Sequence, residues 1–321
     1  MVEANVIAMH GLSEESELRE RVRAVMDTGS LSQTKAATEI GISAAALSQW
    51  LAGKYPGDGS ATDARVLRWL DAKAQRAKLD ASMPSAPAWV ETPTARRVLA
   101  GLQYAQMSGD ISLVYGGAGI GKTQGARRYA ALHPNVWVAT MTAATNALGP
   151  CLERVALACG MRPSTTRAAR LESDLIDRLT DTDGLLVIDE AQHLATRALE
   201  ALRALHDATG VGLAILGNDL VYARLTGGRR SAEFAQLFSR IGKRVRLTRP
   251  SEGDVSALIA AWGIDGEKEV RVLMDIARKP GALRGVTKAL RLASLFAQGQ
   301  GEPAVTATHI VAAWRDLGGE L

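Results

Sequence analysis

Gly116-Gly117-Ala118-Gly119-Ile120-Gly121-Lys122-Thr123 (GGAGIGKT) decides the fold of this 321-residue chain. It fits GxxxxGK(S/T), and it stands between an apolar run suited to a buried strand, Ile111 to Tyr115, and a helical segment, Gln124 to Ala131. Glycines let backbone N–H groups close around phosphate oxygens, and the N-terminus of the following helix adds favourable partial charge. The pattern therefore predicts a nucleotide cradle formed by Gly116, Gly117, Ala118, Gly119, Ile120, Gly121, Lys122, Thr123 and Gln124. Lys122 is expected on the β- and γ-phosphates, and Thr123 as a ligand of Mg²⁺.

Outward from the loop, four more apolar runs read as strands: Val136 to Thr140, Leu185 to Ile188, Leu213 to Leu216 and Val245 to Leu247. Helical segments separate them, so the expected core is α/β, a parallel sheet covered on both faces, spanning residues 95–249. Residues 250–321 carry no such runs. Glu252 to Trp262, Glu267 to Ala277, Ala282 to Ala297 and Ala307 to Leu317 are amphipathic and predict an all-α C-terminal domain. Residues 1–78 read as short helices, and 79–94, with Pro84, Pro87 and Pro93 among small residues, as a linker.

Two further strand ends carry candidate chemistry. Leu185-Leu186-Val187-Ile188 runs into Asp189-Glu190, which places Asp189 to hold the magnesium water shell and Glu190 to polarise the attacking water. That pair implies ATP hydrolysis as well as binding. The strand ending at Leu216 runs into Gly217-Asn218, where an amide can orient the lytic water, although Asn is also a common turn residue. Arg240, between the amphipathic stretch Phe234 to Phe238 and the last strand, is placed to reach the γ-phosphate of a neighbouring subunit. Arg284 opens a C-terminal helix and is placed to touch the nucleotide. Solvated surface arginines are the plain alternative for both.

Composition narrows the class. With 47% apolar residues and charges of both signs the chain is globular, and a net charge of +4 is compatible with nucleic acid as a partner. No run of about 18 apolar residues occurs and the N-terminus carries Glu14, Glu15 and Glu17, which predicts a cytoplasmic protein with no membrane partner. Cys151 and Cys159 lie on an apolar helix, Leu148 to Gly160, and read as buried small hydrophobes.

Taken together, the phosphate loop, LLVIDEAQH, Asn218, Arg240 and the Gly-x-x-Arg of Gly281 to Arg284 resemble the AAA+ ATPase superfamily of P-loop NTPases. Val136-Trp137, Leu216-Gly217-Asn218, Thr226-Gly227-Gly228, FAQLFSRIGKR (234–244) and KPGALR (279–284) resemble, more narrowly, the target-selection transposition protein B family of Mu-like transposable phages. The likeness extends through Trp89-Val90-Glu91-Thr92 to the N-terminal helices and is weakest before about Glu14. It implies ATP and Mg²⁺ as cofactors, ATP-bound helical filaments on double-stranded DNA with little sequence preference, and delivery of that DNA to a partner transposase that stimulates hydrolysis. It also implies a phage- or prophage-encoded protein in the cytoplasm of a bacterial host, and an Arg240 that works in trans. A helicase loader or replication initiator of the same superfamily shares the ATPase motifs.

Gln33 to Ala52 fits a helix-turn-helix, with Gly41 in the turn and Leu47 and Trp50 facing inward. Its outer face offers no Arg or Lys to grip guanine, so Ser48, Gln49 and Lys54 are candidates for phosphate contact. Protein docking is the other use of such a module. Arg162, Arg167 and Arg170 are candidate DNA contacts in a polar loop, or simply solvated charge. Lys243, Arg244, Arg246, Arg249, Arg271, Arg278, Lys279, Lys288 and Arg291, assigned to the C-terminal helices, suit either phosphates or the transposase.

Overall fold

Five apolar runs form one parallel sheet in the computed structural model, which describes residues 16–82, 86–226 and 239–320. The strands are β1 (Ile111–Gly116), β2 (Val136–Thr140), β3 (Leu185–Asp189), β4 (Gly212–Gly217) and β5 (Ile241–Leu247), in the order β2-β3-β4-β1-β5. All four pairings are parallel; Val114, for example, lies between Leu216 and Val245. Every residue of β1, β3 and β4 is buried, whereas the edge strands β2 and β5 alternate. Coverage on both faces explains why the three inner strands read as unbroken apolar runs.

The helices are 16–28 (α1), Gln33–Ile40 (α2), Ala44–Leu51 (α3), Gly59–Ser82 (α4), Pro93–Ser108 (α5), Lys122–Leu132 (α6), Leu148–Ala158 (α7), Ala168–Leu179 (α8), Thr196–Thr209 (α9) and Asp219–Thr226 (α10). After β5 come Glu252–Ala261 (α11), Glu267–Ala277 (α12), Ala282–Gly299 (α13) and Ala307–Asp316 (α14). On one face of the sheet Ile111, Leu113, Leu186, Ile188 and Leu213 pack with Leu152, Leu175 and Leu202 of α7, α8 and α9. On the other, Val114, Val187, Leu216 and Val245 pack with Val98 and Leu102 of α5 and Tyr129 of α6. Adjacent residues of one strand thus serve opposite cores, which is the three-layer arrangement expected of alternating strands and helices. Cys151 and Cys159 are buried within the first core, and desolvation pushes their thiols up to about 12 and about 11.

Three boundaries differ from the sequence reading. β5 begins at Ile241, not Val245, because an edge strand tolerates the polar run Gly242, Lys243 and Arg244; those basic residues therefore lie on the sheet and not in the C-terminal helices. Arg170 lies in α8 and Arg167 is its N-cap residue, since burial of Leu171, Leu175 and Leu179 draws this stretch into a helix. The segment 79–94 is helical at both ends, as α4 runs to Ser82 and α5 starts at Pro93. The chain divides into two compact units at Pro84/Ser85.

In the first unit Ser32 and Ser43 cap α2 and α3, and Gly41 turns the chain between them with φ 81°. Ala37, Leu47 and Trp50 are buried with Val66, Trp69 and Leu70 of the 24-residue α4. Ser48, Gln49 and Lys54 are exposed there.

The second unit holds the sheet and the four C-terminal helices, which enclose their own core of Leu273, Ile276, Val286, Leu290, Ile310 and Trp314. Asp254, fully buried, joins the two parts. Its carboxylate accepts from the backbone N–H and hydroxyl of Thr94, both at 2.7 Å, and from the backbone and hydroxyl of Ser251 at 2.6 and 2.8 Å. Burial alone would raise its pKa, but these donors outweigh it and hold the carboxyl below its usual 3.8. A depressed folded-state value contributes stability above the unfolded pKa and loses it as pH falls through the folded one. Asp254→Asn is therefore expected to cost about 2 to 3 kcal/mol at neutral pH, with the gap from the parent narrowing below about pH 4, as read by denaturant melts across pH.

Candidate active site

The C-terminal ends of four strands converge on one edge of the sheet, and the glycines of the loop are dictated by how close the chain passes to itself there. Gly116 has φ 135°, and a Cβ on it would come within 1.7 Å of the Leu247 carbonyl oxygen. Gly119 has φ 78°, and its Cβ would fall 2.1 Å from the carbonyl of Gly281, at the start of α13. Lys122 is the first residue of α6, and Gly121 before it provides no side-chain cap, so the first N–H groups of the helix open toward the loop. The Lys122 ammonium donates to the carbonyls of Gly116 at 2.8 Å and Gly117 at 2.6 Å. Burial lowers its pKa, against the pull of the Glu190 and Asp189 carboxylates.

Asp189 ends β3 and is 1% exposed. Burial raises its pKa, and the Thr123 hydroxyl, which donates to its Oδ2 at 2.8 Å, partly offsets this. A hydroxyl and a carboxylate so paired at the mouth of an open helix N-terminus are hard oxygen donors, the set that fits magnesium carried with a nucleotide. Among the described residues no group of three or more His, Cys, Asp or Glu side chains is placed to hold a metal ion.

Glu190 follows in the left-handed region, φ 57°, its N–H donating to Asp189 Oδ1 at 3.0 Å. For a residue with a Cβ this costs on the order of 1 to 2 kcal/mol. Asn218 follows β4; its side-chain oxygen accepts from Leu220 N–H at 3.0 Å, so it serves the turn into α10. Gln192 links the two residues, donating to Glu190 Oε2 and accepting from Asn218 N–H at 3.4 Å. It stands within LLVIDEAQH but was not singled out from sequence, because its role arises only where β3 and β4 end side by side.

Arg284 reaches the loop through its backbone, which donates to the Gly119 carbonyl at 3.3 Å, while its side chain is exposed. Gln124 is also exposed, on the first turn of α6. Arg240 precedes β5, and its exposed guanidinium pairs with Asp207 of α9, a carboxylate that Arg203 shares. Arg162, Arg167 and Arg170 are exposed, with Arg170 bonded to Asp174 at 3.0 Å. Phe234 to Phe238, Gly227, Gly228, Glu14 and Glu15 lie outside the described residues.

The strand order, the phosphate loop against β3, and a helical domain touching that loop define an AAA+ P-loop ATPase. An AAA domain model matches residues 105–225, and the model described as Mu B transposition protein, C terminal, matches 239–317. The chain belongs to the family of the Mu-type transposition protein B. It is 38% identical to the ATP-dependent target DNA activator B of Escherichia phage Mu over 302 residues, covering 94% of this chain and 95% of that one. It is 35% identical over 260 residues to the Mu-like prophage FluMu DNA transposition protein B of Haemophilus influenzae, covering 80% and 90%. Among solved structures, the Aeropyrum pernix ORC2 protein in its ADPNP-ADP complexes shares the fold at TM-score 0.54 and 18% identity, over 70% of this chain and 66% of that chain. The ORC1 protein of the same organism, solved with DNA, matches at TM-score 0.51 and 19% identity, over 72% and 67%. Among the described residues no helix is long and apolar enough to cross a membrane.

Lys122→Ala removes the cation from the cradle while leaving its glycines, and nucleotide affinity is expected to fall about a hundredfold or more, given the strength of charge-assisted bonds to phosphate. Titration with a fluorescent ATP analogue checks this; affinity within threefold of the parent contradicts the assignment of the loop.

Proposed function

We propose that this ATPase assembles in its ATP-bound form on duplex DNA with little sequence preference, and presents that DNA to a transposase in the cytoplasm of a bacterial host. The observation that carries the reading is the gathering of Lys122, Thr123, Asp189 and Glu190 at one edge of the sheet, with Thr123 bonded to Asp189, within a chain that matches the phage Mu activator along 94% of its length. Lys122 leaves the carbonyls of Gly116 and Gly117 to meet the β- and γ-phosphates. Thr123 and Asp189 hold magnesium, which supplies positive charge to the phosphate oxygens. Glu190 polarises water, which Asn218 orients, and Arg284 closes on the nucleotide from the C-terminal helices.

Arg240 completes the site of a neighbouring subunit. Its exposed position on the rim before β5 supports this, since a side chain half open to solvent is accessible to a second copy. Exposed Arg244, Arg246 and Arg249, and Arg162, Arg167 and Arg170 on the other side of the ATPase sequence, supply phosphate contacts. Ser48, Gln49 and Lys54 do so from the helix-turn-helix, whose outer face lacks the Arg or Lys that bidentate guanine contacts use.

Sedimentation on duplex DNA tests the reading. Protein is expected to pellet with DNA in ATP and Mg²⁺ and not in ADP; equal pelleting without nucleotide counts against it, and a single-strand preference with capture of a replicative helicase points instead to a loader. Glu190→Gln is expected to bind ATP normally, lose at least a hundredfold in kcat, and stay on DNA. Normal turnover in that variant removes Glu190 from the role of base.

A further inference from the structure

Gln192 makes three hydrogen bonds that no phosphate contact requires. Its amide N–H donates to Glu190 Oε2, its side-chain carbonyl accepts from Asn218 N–H at 3.4 Å, and its main-chain carbonyl accepts from Arg224 Nη1 of α10 at 3.1 Å. Space for this side chain is reserved by the last residue of β4. A Cβ on Gly217 would fall 2.8 Å from Gln192 Oε1 and 2.4 Å from Val221 Cγ2 of α10. The Glu190 carboxylate is thus clasped from the side of β4 and α10, and the clasp continues into the body of α10 through Arg224.

We propose that Gln192 is a positioning residue that holds Glu190 at rest and couples its release to α10. An amide hydrogen on Oε2 occupies one of the acceptor sites of the carboxylate and fixes the orientation of the group, so this bond must be given up before Glu190 can turn freely toward a water. The Lys122 ammonium lies at the same time on loop carbonyls, so the base and the phosphate lysine are both bonded within the protein. Displacement of α10 pulls on Arg224 and so draws Gln192 away from Glu190. Because α10 leads toward Arg240 in the sequence, a neighbour or DNA that engages this region gains a route to the base without touching nucleotide.

The inference rests on Glu190 as base, and the experiment separates the two. Steady-state ATPase rates of the full chain are measured with Mg²⁺, with and without duplex DNA, for the parent, Gln192→Leu, Arg224→Ala and Glu190→Gln. Gln192→Leu is expected to raise DNA-free kcat three- to tenfold, leave KM for ATP within twofold, and reduce the ratio of DNA-stimulated to DNA-free rate in proportion. Arg224→Ala is expected to move both quantities the same way by a smaller factor, because it loosens the main chain of Gln192 and keeps the amide. A merely structural role lowers kcat and melting temperature together. If Gln192→Leu does not fold, Gln192→Asn, one methylene too short to span to Glu190, is read in its place with the same expectation. Unchanged or reduced DNA-free kcat, with Glu190→Gln inactive, overturns the clasp and leaves the base assignment standing; normal turnover in Glu190→Gln overturns the base, and the clasp with it.

Discussion

A parallel strand covered on both faces has no place for a charged or polar side chain except at its ends. β1, β3 and β4 obey this save for one serine, and the polar groups of the candidate site that these three strands carry accordingly lie where a strand stops. β1 ends in the phosphate loop, β3 in Asp189 and Glu190, β4 in Gly217 and Asn218. Because the three are parallel and adjacent in the order β3-β4-β1, these ends fall on one edge, and the bond from Thr123 to Asp189 closes the span between the outer two. The site is thus a consequence of burial: apolar contact on both faces fixes the strands, and the strands fix the chemistry.

That dependence also explains what could be read from the sequence. The loop and the inner strands were legible because burial on two faces writes itself as unbroken apolar runs, and a GxxxxGKT at the end of one has a single physical use. The start of β5 was not legible, since an edge strand with Gly242, Lys243 and Arg244 looks like a charged loop until β1 is placed beside it. Arg167 and Arg170 seemed to lie in a loop because the helix they open is amphipathic and its buried leucines begin only at Leu171. Least legible were contacts between distant segments. The bond from Asp254 to Thr94 joins residues 160 apart, and the clasp of Gln192 depends on a glycine at the end of another strand. Position in the sequence aimed Arg240 at a neighbour's γ-phosphate and Arg284 at the nucleotide while leaving solvated surface charge as the alternative; the resemblance to a family favoured the first reading.

Among the contacts that join the C-terminal helices to the ATPase core, two differ in kind. Asp254 and Thr94 form a fully buried knot of charge-assisted bonds. Gly119 and Arg284 meet through one longer backbone bond at the loop itself. The Asp254 bonds are the firm anchor and the Gly119 bond the light contact. Val90, partly buried against the same helical core, and Trp89, stacked near Arg128 of α6 at 5.8 Å, extend the anchor along the segment before α5.

Arg240 already has an anion. Asp207 satisfies it within the subunit, and Arg203 shares that carboxylate, so Asp207 keeps a partner if Arg240 leaves. In the proposed assembly the guanidinium exchanges a carboxylate of its own chain for a phosphate of the next. An exposed ion pair is worth at most about 1 kcal/mol, so the swap is close to balanced before nucleotide charge is counted, and the charge on the γ-phosphate tips it. When hydrolysis removes that charge, the arginine has a home to return to, and a polymer built on such an exchange comes apart without any bond having to be left unmade.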